Sequence, residues 1–112
     1  MGKKSQAAVG VETEAALKRL RRGIDRSDRL LLKALGSRFS IVKKIGVIKA
    51  ARDLPPLQPA RWAEVMKARL KIGRRMGLRE EFIEALFALI HQEALQAQAA
   101  LAAKKKKSTQ QK

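Results

Sequence analysis

The chain has 112 residues, 26 of them Lys or Arg and 10 Asp or Glu, for a formal charge of +16; it has one His and no Cys. That length suits one domain. Zero Cys removes disulfides, thiolate metal sites and a Cys nucleophile, and the single His91 leaves a His-based metal cluster or a Ser-His-Asp triad without its members. No apolar run is long enough to cross a bilayer, and Met1-Gly2-Lys3-Lys4-Ser5 lacks the apolar stretch of a secretory signal, so a soluble, cytoplasmic protein with no metal and no cofactor is expected.

Charge is concentrated at the two ends. Residues 1–10 hold two lysines and residues 104–112 five, with no acid in either stretch. Both ends are polar and low in complexity, so residues 1–11 and 104–112 are expected as disordered basic tails around a helical domain at 12–103. Taking those seven lysines from +16 leaves +9 for residues 11–103, a balance that suits an anionic ligand. The Lys104-Lys105-Lys106-Lys107 run reads first as solubilising, with nonspecific nucleic-acid contact as its alternative.

Apolar residues then recur at Leu17, Leu20, Ile24, Leu31, Leu35, Phe39, Val42, Ile45 and Ile48, in helical steps of three, four or seven. No Pro interrupts them before Pro55, so one helix is expected from about residue 12 to about residue 51, roughly 60 Å long. A compact chain of this length is only about 30 Å across. Such a helix cannot bury its stripe within one chain, which implies a second chain alongside. Pro55, Pro56 and Pro59 break the helix. Pro59 suits the first turn of a second helix carrying Trp62, Val65, Met66, Leu70 and Ile72 and ending at residues 73–77. A third helix, from about residue 79 to about residue 103, carries Phe82, Ile83, Leu86, Phe87, Ile90, Ala94 and Leu95, with Glu80, Glu81 and Glu84 near its start. Nothing alternates as a strand does, so the class is all-α. Trp62 reads as core and His91 as a surface or interhelical residue.

Certain polar residues interrupt this pattern. Arg38 and Lys49 are eleven residues apart, which is three turns plus about 20°, so they share a helix face about 16 Å apart and can bracket a small dianion. Arg21 lies about 25 Å from Arg38 along the axis and about 100° off that face. It cannot reach the same small ligand from the same helix, whereas an antiparallel partner helix could bring it there. Taken singly, such cations snorkel to solvent, and Gln98 is an ordinary surface residue.

Together, however, Leu20-Arg21-x-x-Ile24-Asp25-x-x-Asp28-x-x-Leu31-Leu32-x-x-Leu35-x-x-Arg38, then Lys49, Arg61, the run Gly77-Leu78-x-x-x-Phe82-Ile83-x-x-Leu86-Phe87-x-x-Ile90 and finally Gln98 resemble the all-helical chorismate mutases over residues 15–100. The resemblance implies an intertwined three-helix homodimer with two identical sites and a role in aromatic amino acid biosynthesis. By position it implies that Arg21 of the partner chain, with Arg38 and Arg61, binds the two carboxylates of chorismate. Lys49 and Gln98 would then hydrogen-bond the ether oxygen of the bond that breaks. Chorismate to prephenate is a concerted [3,3] rearrangement that needs no nucleophile, proton transfer or metal. It needs a held conformer and stabilisation of charge growing on the ether oxygen.

The sequence departs from that pattern at three substrate-facing positions. Gln58 and Trp62 stand where acidic residues contact the ring hydroxyl, and Ala94 stands where a serine helps to hold a carboxylate. Isochorismate-pyruvate lyase also lacks the acidic pair, and Ala34-Leu35-Gly36-x-Arg38 resembles it too, although the stretch from Lys49 to Arg61 keeps the mutase length. A 4-amino-4-deoxychorismate mutase is a further alternative on the same scaffold. A basic helical nucleic-acid-binding dimer is the alternative of another class, set against cations scattered around the helices and 4% aromatic content.

Overall fold

In the computed structural model the backbone is described for residues 6–110 and the side chains for residues 10–105. Three helices account for most of it: α1, Gln6–Ala51; α2, Pro59–Arg75; and α3, Glu80–Gln110. Among the described residues there is no strand.

Two helices are longer than the apolar spacing predicts. Within the stretches expected as tails, residues 6–11 belong to α1 and residues 104–110 to α3; the rest of those stretches lies outside the described residues. Periodicity marks only the part of a helix that has apolar residues to bury. Gln6, Ala7 and Ala8, and the Ala102-Ala103-Lys104-Lys105 stretch, are strong helix formers that prolong a helix already nucleated. Lysines at a helix C-terminus also face the negative end of its dipole.

The chain divides into two units, residues 1–38 and residues 39–112. In the first, none of the described residues is buried: Leu17, Leu20, Ile24, Leu30, Leu31 and Leu32 are all exposed. The second unit holds the core, made of Val42, Val65, Ile83 and Ile90, with Gly46 and Gly73 also buried. Of the apolar residues expected inside, Met66, Leu70, Leu86, Phe87 and Leu95 are half-buried, whereas Ile72 and Phe82 are exposed. Ile83 faces α2, and Phe82, one residue or about 100° around the helix, does not share its side.

Glycine sets the contact between α2 and α3. A Cβ added at Gly73 would fall on Ile83 Cδ1 and lie 2.9 Å from Ile83 Cγ1. A Cβ at Gly46 would lie 3.0 Å from Gln98 Cγ and 3.0 Å from Leu101 Cδ1, so α3 passes close to the last turns of α1 as well. α2 ends in a Schellman motif: Gly77 takes φ 81°, its N–H donates to Arg74 O and that of Leu78 donates to Gly73 O. α1 ends in the same pattern with a different residue. Asp53 takes φ 55°, its N–H donates to Ala50 O, and the Leu54 N–H donates to Lys49 O at 2.8 Å.

Candidate functional site

The last turns of α1 bring Lys49 and Gln98 together. The Lys49 ammonium donates to Gln98 Oε1 at 3.1 Å and to the Pro56 carbonyl at 2.8 Å. Gln98 Nε2 donates in turn to the Val42 carbonyl at 3.1 Å. These bonds fix which end of the Gln98 amide faces Lys49, because a lysine only donates and a backbone carbonyl only accepts. Gln98 is 6% exposed and, among the described residues, is the buried polar residue of the core. Its burial is tolerated because both ends of the amide have partners.

Local sequence explains the arrangement. Val42, Gly46 and Lys49 fall on one side of α1 at steps of four and three. Gly46 allows the α3 backbone close enough for Gln98 to span to Val42 and Lys49. Pro56 follows the Asp53 turn, which folds the chain back over the end of α1, and its carbonyl lies within reach of Lys49. Partial burial draws water away from the ammonium and holds the Lys49 pKa below the ordinary lysine value of 10.5. An ammonium has three N–H groups and a primary amide two. The bonds above use two of Lys49's and one of Gln98's.

The remaining sequence-derived candidates are placed as follows. Arg38 belongs to the same unbroken helix as Lys49 and is half-buried. Arg21 is exposed on α1. Gln58 is exposed and precedes α2 in an extended conformation, without a side-chain cap. Arg61, in the first turns of α2, is exposed and pairs with Glu64 at 2.9 Å. Gln58, Arg61 and Glu64 line one shallow depression with Pro55, Leu57, Pro59 and Ala60. Trp62 is half-buried and stacks on His91 of α3, ring centroids 3.8 Å apart and planes 13° from parallel. His91 is therefore interhelical. Ala94 is half-buried on α3, one turn before Gln98.

Sequence reasoning missed the two backbone carbonyls, Pro56 O and Val42 O, that hold the lysine and the amide. It also missed the burial of Gln98. Gly46, one turn before Lys49, is the one sequence signal of the close approach. Among the described residues no group of three His, Cys, Asp or Glu could hold a metal ion, and no helix is long and apolar enough to cross a membrane.

A lysine ammonium and a buried amide, fixed against each other by backbone carbonyls in an all-helical scaffold, define a site that offers preset positive charge and hydrogen-bond donors. Comparison with known proteins gives the family. The sequence pattern of the family described as chorismate mutase type II matches residues 20–99. The bifunctional chorismate mutase/prephenate dehydratase of Aquifex aeolicus (strain VF5) is 37% identical over 60 residues, which cover 54% of this chain. The match spans 17% of that protein's length. The chain belongs to the chorismate mutase type II family.

Proposed function

We propose that this chain catalyses the rearrangement of chorismate to prephenate, in the cytoplasm, as a homodimer in which each site takes Arg21 from the partner. The observation that carries the reading is the 3.1 Å contact between Lys49 and Gln98, each also bound to a main-chain carbonyl. The reaction breaks a C–O bond while a C–C bond forms in the same molecule. Negative charge grows on the ether oxygen as the transition state is approached, so donors aimed there favour the transition state over the ground state. The unspent N–H of Lys49 and that of Gln98 are the donors we assign to that oxygen. Their other bonds hold them in place beforehand, which removes the reorganisation that water would require.

The carboxylates are assigned to Arg38 and Arg61 of one chain and Arg21 of its partner, following the family pattern position by position. Arg61 then exchanges Glu64 for substrate, an inexpensive step because exposed ion pairs contribute only about 0–1 kcal/mol. The dimer is supported by the exposed Leu17, Leu20, Ile24 and Leu31 row on α1. Burying a leucine stabilises by about 1.5–3 kcal/mol, and residues 10–38 hold no core of their own to supply that burial. Gln58, Trp62 and Ala94 are assigned to the ring end of the substrate, where Gln58 and the Trp62 indole N–H are neutral partners for the ring hydroxyl.

The test is to offer chorismate, isochorismate and 4-amino-4-deoxychorismate separately to the purified protein and to identify the products. Prephenate from chorismate is expected as the fastest conversion. Salicylate and pyruvate from isochorismate at a higher kcat/KM would overturn the reading in favour of a lyase. Inertness to all three, with DNA binding that weakens steeply with salt, would overturn it in favour of a nucleic-acid-binding dimer.

A further inference from the structure

Lys105 lies on α3 seven residues beyond Gln98, two turns on and nearly the same face of the helix. Its ammonium donates to the Ala50 carbonyl in the last turn of α1. It also pairs with Asp53 Oδ1 at 3.5 Å. Both partners belong to the turn that ends α1: Ala50 O accepts from the Asp53 N–H, and Asp53 is the residue in the left-handed region. The same turn binds the Lys49 carbonyl through Leu54 N–H, and two residues further on Pro56 O receives the Lys49 ammonium. One side of α3 thus touches the end of α1 at successive levels, Gln98 at Val42 and Lys49, Leu101 at Gly46, and Lys105 at Ala50 and Asp53.

We infer that Lys105 is a positioning residue for the Lys49 site: it fixes the turn at Asp53 and through it the Pro56 carbonyl that holds the catalytic ammonium. This rests on the functional reading above. The charge of Lys105 also sits at the C-terminal end of α1, where the helix dipole favours a cation. Its side chain is 42% exposed and that of Asp53 is 93% exposed, so the pair is a modest clamp and its effect on rate is modest too. With the clamp gone, the Pro56 carbonyl is held less well and the charged form of Lys49 loses an acceptor.

Three variants of the full-length chain test this: Lys105→Met, Lys105→Arg, and Lys104→Met, which removes the same charge one residue away. With chorismate, Lys105→Met is expected to lower kcat about three- to fivefold with KM unchanged. The alkaline limb of its kcat/KM profile is expected at lower pH than that of the parent. Lys105→Arg is expected to restore most of the loss, and Lys104→Met to behave as the parent. An unaltered kcat and alkaline limb in Lys105→Met, or an equal loss in Lys104→Met, overturns the inference. If the parent chain proves inert to chorismate, the functional reading fails on its own account. The clamp is then read from amide hydrogen exchange at Leu54: faster exchange in Lys105→Met supports it, and equal exchange overturns it.

Discussion

Residues 10–38 and residues 39–105 of one chain differ sharply in how they use apolar side chains. The first stretch is regular helix without a buried residue, although it carries Leu17, Leu20, Ile24, Leu30, Leu31 and Leu32. The second has a small core and, beside it, the Lys49–Gln98 pair. Helix propensity sustains the first. Packing, with glycines at the tight crossings, sustains the second. The difference teaches that the site's lysine and amide are set within a single chain, while the long leucine-bearing stretch carries surface that a lone chain leaves wet.

The strongest way to break this comparison is to charge the wet surface. Leu20→Glu combined with Leu31→Glu should leave helix content unchanged but abolish a stable dimer, since each leucine covered by a partner is worth about 1.5–3 kcal/mol. Turnover should fall with the dimer if Arg21 acts in trans. Sedimentation measured beside the chorismate assay checks both, and a monomer with full activity would sink the trans assignment. On the packed side, Lys49→Ala should lower kcat by about two to three orders of magnitude, as when an oxyanion donor is removed; the dimer should persist, with stability lowered by about 1–3 kcal/mol because the buried Gln98 Oε1 loses its donor.

Glycines allow the same substitution in both regions. Gly73→Ala forces a Cβ against Ile83 and should destabilise by about 1–3 kcal/mol. Gly36 has nothing within 4 Å of its would-be Cβ, so Gly36→Ala should stabilise by about 1 kcal/mol through helix propensity alone. Thermal melts of the pair should therefore move in opposite directions. A drop for Gly36→Ala would place a partner's approach at that point of α1.

The smallest effect concerns pH. Burial lowers the Lys49 pKa in the folded chain below 10.5, so through that window the unfolded chain binds more protons than the folded one. Stability should rise slightly as pH climbs there. Over the same range kcat/KM should fall, because the neutral amine no longer stabilises the ether oxygen. Rising stability with falling activity separates Lys49 from a general alkaline unfolding, and a denaturant series beside a pH–rate profile checks it.

The all-α class, the Pro55–Pro59 break and the three helices were legible because apolar period and proline act locally. Helix ends were less so, since Gln6, Ala7 and the Lys104-Lys105 stretch continue their helices with no apolar period to mark them. Phe82 and Ile83 are equally apolar in sequence, and only the crossing at Gly73 decides which of them is covered. The family's polar pattern pointed to Lys49 and Gln98 as neighbours. Their partners, Pro56 O and Val42 O, are main-chain atoms that every residue possesses, so no residue type announces them. Lys105 was hidden for a related reason. It sits in a run of identical charges, and only the fold tells it apart from Lys104.

The Trp62–His91 stack gives the protein an optical readout. Trp62 is the chain's single tryptophan, so its emission is not mixed with that of another indole. The indole is half-buried against the His91 ring while α2 and α3 remain together, and its emission should shift as the helices part and water reaches it. Light from this one ring can thus follow the pairing of the two helices during refolding, with no dye attached.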